Sequence, residues 1–530
     1  MTQSQNRAKL VVSATVVLVL VWLTVTAWMR PLMLPDEGRY VGVAWEMVRS
    51  GDWLTPTLNG LPYFHKPPLF YWITATSLWL FGNHEWAARF ASLVGAAVGS
   101  LACYGFFRRW LSNRVGQMGL IVLMAQPLWM IAAQFANLDM LVAGCIVATI
   151  CLLAHSVLLS EQAQPFRGAL AAGWGMAALG ILAKGLIGFV LPAMVITVWL
   201  VAQKKWRRLF GLLDWPGVLL FLLLTVPWFA AMQHRFPDFL DYFFVVQHFK
   251  RFTESGFNNV MPLWFYPAVL ALAFLPWLPW IVRASKASAE SSDTQNSLRL
   301  LLLIWAAVIV VFFSLPRSKL LGYVLPAVAP LAMLAAQGYV GKGRLSGRKF
   351  AAGSLVAGLG VALTLSVLTW LAVHPQHSMR SFGQAFKEGH HPSELVVMLE
   401  KYYFDFPFYA GLSKPVAVFE KWDDPELHRQ DNQRKEIADA GLFDRASAAK
   451  YLLLPAFLPQ LLCSSDIVWL LGPTAAVERY PYLKQAVSVH HLQETTLWRI
   501  ETRTPVMSAS LGCAETPNSG SPSTSSQPLL

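Results

Sequence analysis

Charge is what this chain has least of. Only 14% of its 530 residues are Asp, Glu, Lys or Arg, while 55% are hydrophobic, a balance that excludes an ordinary water-soluble protein. Cysteine is scarce too: there are five, of which Cys103, Cys145 and Cys151 sit inside apolar runs. That excludes a disulfide framework and any metal-ligand spacing of cysteines, leaving Cys463 and Cys513 as a candidate pair with Cys513 in the tail. The formal charge of +12 is not gathered into a basic domain but scattered through short loops, so it reads as a topology signal and not as a nucleic-acid surface. No internal repeat is visible. No small-residue cleavage site follows the first apolar run, so that run is expected to be an uncleaved first span.

Long apolar runs are what the chain has instead. They cover residues 10–29, 86–107, 116–134, 140–160, 168–183, 186–202, 213–233, 263–282, 298–314, 320–339 and 351–373, most near the roughly 20 residues that cross a bilayer. Pro127, Pro192, Pro276 and Pro279 are placed to kink or split spans, giving eleven to thirteen. The loops "RRWLSNR", "KKWRR", "RASK" and "KGRLSGRK" are strongly basic and belong in the cytoplasm with Arg7 and Lys9. The opposite connections are residues 30–85, 137–139, the turn at Lys184, 234–262, 316–319 and everything after about 374, and these face outward. They hold acids, histidines, aromatics and prolines. The expected fold class is an α-helical polytopic membrane protein with a soluble C-terminal α/β domain, divided as 1–373, 374–505 and a disordered tail at 506–530.

Within 30–85, "GRYVGVAWEMVRSGDW" spaces its apolar residues as in a helix lying in the membrane interface, and "LPYFHKPPLFYW" breaks regular structure before a second interfacial segment. In the C-terminal region "PVAVFE", "KYLLLP", "DIVWLLG" and "TTLWRIE" read as strands, and "PSELVVMLEKYY" and "RASAAK" as helices. "TPNSGSPSTSSQPLL" is too poor in core residues to fold.

An isolated charge at a span end is more often an interface anchor than a site. Convergence shifts that balance: Asp36, Lys66, Asp139, Lys184, His248, Arg251, Arg317 and Lys319 come from distant parts of the chain, yet the topology brings them to one face. Several cations with two separated acids suit an anionic ligand such as a phosphate or diphosphate, with carboxylates placed for a sugar hydroxyl or a nucleophile. An apolar cavity beside them puts the phosphate on a lipid. Glu37 is divided between a local cap or ion pair and a direct role, Arg39 favours an ion pair with Glu37 over a phosphate contact, and His155 reads as a packed histidine. Trp72, Trp79 and "WLPW" read as interface anchors.

"PDEGRYVGVAWEMVRSGDWLTPTLNGLPYFHKPPLFYW", "AQFANLDM", "AKGLIGFVLP", "QHFKRF", "WFYPAVL" and "SLPRSKLLGYVLPAVAPLA" occur in this order along the membrane region. Together they resemble the bacterial aminoarabinose transferases of lipid A and their relatives in the protein O-mannosyltransferase superfamily. The resemblance implies a GT-C fold and a lipid-phosphate-linked sugar donor, with no required cofactor. It gives Asp36 and Asp139 as the catalytic acids. Lys66, Lys184, His248, Arg251, Lys319 and Tyr323 would bind donor phosphate or substrate, and Glu37, Arg39 and Arg317 would support them. Departures are His65 where the family often has Glu before the "KPP" lysine, Gln247 where it has Glu before the histidine, and "SKLLGY" for "SKLPTY". The His65 and His248 pair leaves a divalent metal, Zn or Mg/Mn, open.

The function expected is transfer of 4-amino-4-deoxy-L-arabinose or a similar sugar from polyprenyl phosphate to lipid A, or a related envelope acceptor, at the periplasmic face of the bacterial inner membrane. The alternatives are an O-mannosyltransferase-like enzyme acting on Ser or Thr, and a lipid flippase. A flippase is disfavoured because the span interiors are almost free of charge. Expected partners are the donor, the acceptor and membrane lipids, and not nucleic acid.

Overall fold

The computed structural model describes residues 3–250, 259–286, 292–341, 347–375, 378–428 and 432–513, leaving aside the side chains of 3–13 and 248–250. Every apolar run expected to span is helical. Among the described residues six helices are long and apolar enough to cross a membrane by themselves, or up to eight if bent pairs count as single spans. The chain is thus a multi-span membrane protein. Two of the proline sites break their helices as expected. Asn113–Ala125 and Pro127–Ala133 meet at 65°, and Phe265–Ala273 and Leu275–Ser285 at 64°, because proline removes the amide that would continue the ladder. Pro192 stays inside the helix Ile187–Ala202.

The helix Leu138–Glu161 is the most enclosed of these spans, whereas Gly347–Val373 is mostly exposed and presents its apolar side chains outward. Small residues permit the tightest approach in the bundle. A Cβ on Gly144 would collide with the Gly95 backbone, so Leu138–Glu161 and Phe90–Trp110 pack nearly backbone to backbone, a recurrent solution between membrane helices.

Past the first helix, α1 (Gln3–Val25), the chain enters α2 (Asp36–Ser50), then a two-strand turn of β1 (Thr57–Leu58) with β2 (Leu61–Pro62), then α3 (Leu69–Phe81). The expectation of an interfacial helix is corrected here. Both flanks of α2 are covered, and Tyr40, Val41, Ala44, Trp45 and Met47 are buried. Arg39, expected on a polar face, is buried against Glu436. The reason is that the C-terminal domain sits on this segment. Asn59 exchanges two 2.9 Å hydrogen bonds with the Val416 backbone, Trp45 Nε1 donates to Leu412 O at 3.2 Å, and the Leu32 amide donates to Tyr409 Oη at 2.7 Å.

That domain is an α/β unit. Its sheet order is β5-β4-β3-β6-β8-β7, with β3 (Leu395–Leu399), β4 (Ala417–Phe419), β5 (Leu452–Leu453), β6 (Ile467–Pro473), β7 (Val487–Leu492) and β8 (Thr495–Glu501). The β5, β4, β3 and β6 pairings are parallel, and β6–β8 and β8–β7 are antiparallel. The stretch read as the helix "PSELVVMLEKYY" contains the strand β3. Four of its five residues are buried, and such a run has no alternation to distinguish strand from helix. The fold also runs past 505. Pro505–Leu511 is a helix with Met507 and Leu511 in the core, and Cys513 is bonded to Cys463 across 50 residues. Residues 506–513, expected in the tail, are thus part of the folded domain; residues 514–530 lie outside those described.

The joint between membrane and loop regions is a buried charge cluster. Glu37 in the first turn of α2 lies between Arg30 and Arg89, all three nearly inaccessible. Its carboxylate also accepts from the amides of Met33 at 3.0 Å and Ala136 at 2.8 Å. Arg89 in turn donates to the carbonyls of Ala27, Arg30 and Pro31, and Arg30 to Gln134 O at 2.6 Å. Desolvation by itself would raise the Glu37 carboxyl, but the two guanidinium charges outweigh it and hold it at about 2. Its contribution to stability is therefore complete above the ordinary carboxylate range and is lost only as pH falls toward 2. Glu37→Gln should cost about 3–5 kcal/mol, because it strands two buried cations. Thermal unfolding of the purified protein at neutral pH measures this, and a melting temperature equal to wild type would contradict it.

Candidate active site

The two expected catalytic acids are brought to one cavity. About 720 Å³ in volume, it is lined by Met33 to Glu37, by Leu128, Ile131, Ala132 and Phe135 from the bent third span, and by Asn137, Asp139 and Met140. Asn259, Met261, Phe265, Lys319 to Gly322 and Leu325 complete the wall. Apolar side chains dominate, and Asp36, Asp139 and Lys319 are charged groups among them.

Asp36 opens α2, and its side chain is half exposed. Arg39, one turn on, donates to one oxygen; the second oxygen has no hydrogen-bond partner among the described residues. Arg39 simultaneously holds Glu436 of the C-terminal helix Gln433–Phe443, and Tyr63 Oη donates to the other Glu436 oxygen at 3.1 Å. Asp36 is thus oriented through a chain of ion pairs that ends in the other domain. Arg39 is held in ion pairs, but with Asp36 and Glu436 and not with Glu37, the partner expected, because Glu37 is taken by Arg30 and Arg89.

Asp139 is buried in the first turn of Leu138–Glu161, where the Asn137 side chain accepts its amide at 2.8 Å. It forms an ion pair with Lys184, the last residue of Arg167–Lys184. The Lys184 ammonium lies 4.6 Å from the centroid of the Tyr323 ring, a cation–π contact. So three expected site residues form one cluster. It fits only because position 322 is glycine: a Cβ there would overlap the Asp139 carboxylate and come within 2.8 Å of Asp139 Cβ.

Lys319 is buried, and its ammonium donates to Met261 O at 2.8 Å and Pro316 O at 2.5 Å. Desolvation lowers its proton affinity. Of its three donors one is left for a ligand. The lysine is fixed by a short antiparallel bridge between Val260 and Ser318, in which the amides of Met261 and Lys319 donate to Arg317 O and Asn259 O. Arg317 itself is exposed and does not line the cavity.

Glu37 is accounted for by the buried cluster, which favours the ion-pair reading over a direct role. Lys66 lies in the bend between β2 and α3, next to His65. His65 is buried, stacked on Tyr63 with centroids 4.6 Å apart, and joined through Nε2 to Tyr242 Oη at 2.9 Å. Gln247 donates to the same hydroxyl at 2.9 Å. The Nε2 of His65 is therefore committed to a tyrosine. Among the described residues no three His, Cys, Asp or Glu side chains gather as a metal site. Arg251 and the side chain of His248 lie outside the described residues. His155 is a packed histidine, accepting from Trp110 Nε1 at 2.8 Å.

Four positions were not singled out by sequence: Arg30, Arg89, Gly322 and Glu436. The arginines look like any charge at a span end, and Glu436 lies in another domain. Gly322 was visible only as the departure "SKLLGY". Gly322→Ala should cost about 1–3 kcal/mol by overpacking, read as a fall in melting temperature. Asp139→Ala in the same background should recover most of that loss, since contacting sites are non-additive. A Gly322→Ala protein as stable as wild type would contradict the packing.

The chain is similar to known proteins in sequence and in fold. Residues 65–230 match the family model described as dolichyl-phosphate-mannose-protein mannosyltransferase. The undecaprenyl phosphate-alpha-4-amino-4-deoxy-L-arabinose arabinosyl transferase of Edwardsiella ictaluri is 33% identical over 371 residues, 67% of this chain and 65% of that protein. A Sodalis glossinidius relative of the same name is 35% identical over 349 residues, 64% of this chain and 61% of that protein. In both cases the match spans less than two thirds of the relative's length. In structure, ArnT from Cupriavidus metallidurans bound to undecaprenyl phosphate superimposes with a TM-score of 0.77 at 24% identity, covering 93% of this chain and 98% of that one. The archaeal oligosaccharyltransferase AglB from Archaeoglobus fulgidus gives a TM-score of 0.52 at 14% identity, covering 91% of this chain and 71% of that one. With its two acids lining an apolar cavity, the chain has the fold of ArnT.

Proposed function

We propose that this protein transfers a sugar, 4-amino-4-deoxy-L-arabinose or a close relative, from undecaprenyl phosphate to lipid A or a related envelope acceptor. The observation that carries the reading is the cavity of about 720 Å³, whose wall is apolar along the helices and charged at Asp36, Asp139 and Lys319. The names of the relatives supply the donor and the sugar. The polyprenyl chain would lie along Leu128, Ile131, Ala132 and Phe265. Its phosphate would meet Lys319, Lys66 and Arg251, whose positive charge stabilises the phosphate as it leaves. Lys184, neutralised by Asp139, adjusts the position of that acid more than it adds net charge. The basic loops support a site at the periplasmic face of the inner membrane.

In this reading Asp36 acts on the reacting sugar with its free oxygen. If the acceptor is a phosphate, already anionic, Asp36 orients the donor and stabilises positive charge developing at the anomeric carbon. If it is a Ser or Thr hydroxyl, Asp36 is the general base. That second reading, an O-mannosyltransferase-like enzyme, is supported by the unpartnered carboxylate oxygen and by the family model over 65–230.

Purified protein with labelled undecaprenyl-phosphate aminoarabinose and lipid A tests the reading. Asp36→Asn should abolish transfer while leaving donor binding in place. Lys66→Ala and Arg251→Ala should each weaken donor binding by about 1.5–3 kcal/mol, the range for a charged hydrogen bond. Near wild-type transfer by Asp36→Asn would remove it from the chemistry, and unchanged donor affinity in both cation variants would count against the phosphate site.

A further inference from the structure

A second cavity, of about 620 Å³, meets the first at Pro35, Asp36, Asn259 and Leu320. Its chemistry is different. Beyond Arg39 and Ser318, its wall comes from the C-terminal domain: Glu400, Lys401, Asn432, Gln433, Arg434 and Glu436. Most of this charge is already balanced. Glu436 is held by Arg39, and Glu400 by Arg479. Arg434 reaches Glu420 at 3.2 Å and Asp424 at 3.7 Å, yet its Nε is buried without a hydrogen-bond partner. Lys401 forms no ion pair among the described residues; its ammonium only faces the Tyr403 ring at 4.8 Å. What remains available is one ammonium, one guanidinium N–H and the amides of Asn259, Asn432 and Gln433, in a cavity that Asp36 also lines. Amides with a few cationic donors suit a polyhydroxylated ligand carrying an anionic group.

We propose that this cavity binds the phosphorylated sugar headgroup of the acceptor, with Lys401 and Arg434 as its recognition residues, so that the C-terminal domain selects the acceptor. The proposal rests on the sugar-transfer reading. Asp36 then stands where the two substrates meet: donor on the apolar side, acceptor on the polar side. No residue of the donor cavity belongs to the C-terminal domain, so the two substrates are read by different parts of the chain.

The test uses full-length protein in detergent with labelled undecaprenyl-phosphate aminoarabinose, and lipid A as acceptor. Lys401→Ala and Arg434→Gln should each raise the KM for lipid A about tenfold or more, the equivalent of one charged hydrogen bond. Donor KM, and kcat at saturating lipid A, should be unchanged, and Lys401→Arg should restore most of the acceptor affinity. A lipid-free glucosamine disaccharide phosphate should inhibit competitively against lipid A, which separates headgroup recognition from binding of the acyl chains. Acceptor KM unchanged in both variants, or donor KM rising in parallel, would overturn the proposal while wild-type transfer upheld the underlying reading. Failure of the wild-type protein to modify lipid A would instead overturn the reading, and the acceptor site with it.

Discussion

The rest of the structure depends on one buried carboxylate. Glu37 is neutralised by Arg30 from the end of the first span and Arg89 from the start of the second, and it accepts the Ala136 amide from the turn before Asp139. Three segments distant in sequence are fixed at one point, deep enough that solvent does not screen the charges. The neighbouring residue, Asp36, is turned about 100° from it around the helix and is half exposed. The two acids of one dipeptide have therefore taken opposite roles: one is spent on architecture, and the other is presented to the cavity.

That division explains how a chain so poor in charge can concentrate it. Ionisable groups at this face are either paired, as Asp139 is with Lys184, or satisfied by carbonyls, as Lys319 is. Each such fixture lowers the cost of holding a charge against an apolar wall. The C-terminal domain is part of the fixture. Its Glu436 anchors Arg39, and Phe443 at the other end of the same helix packs on Phe64 and Tyr242, the latter bonded to His65. A single helix outside the membrane region thus braces both the acidic turn and the "KPP" segment.

Much of this was legible in the sequence. The apolar runs gave the membrane helices, and two of the prolines marked the breaks, because both signals are local and strong. Asp36, Asp139 and Lys319 line one cavity and Lys184 pairs with Asp139, since alternation of the loops determines which connections share a face. Three kinds of feature were not legible. Buried charges such as Arg30, Arg89 and Glu436 resemble solvated ones until their partners are known, and those partners are tens to hundreds of residues away. The strand β3 carries no alternation because both of its faces are covered. The helix at 505–511 is short and becomes meaningful only through Met507, Leu511 and the Cys463–Cys513 bond.

The central claim is that this cavity joins a lipid-phosphate sugar to an envelope lipid. Its most direct measurement is mass spectrometry of lipid A and of envelope proteins from cells with and without this chain. The account predicts an aminopentose on a lipid A phosphate that disappears with the chain and leaves protein glycosylation unchanged. Unaltered lipid A alongside the loss of sugar from Ser or Thr residues would contradict it.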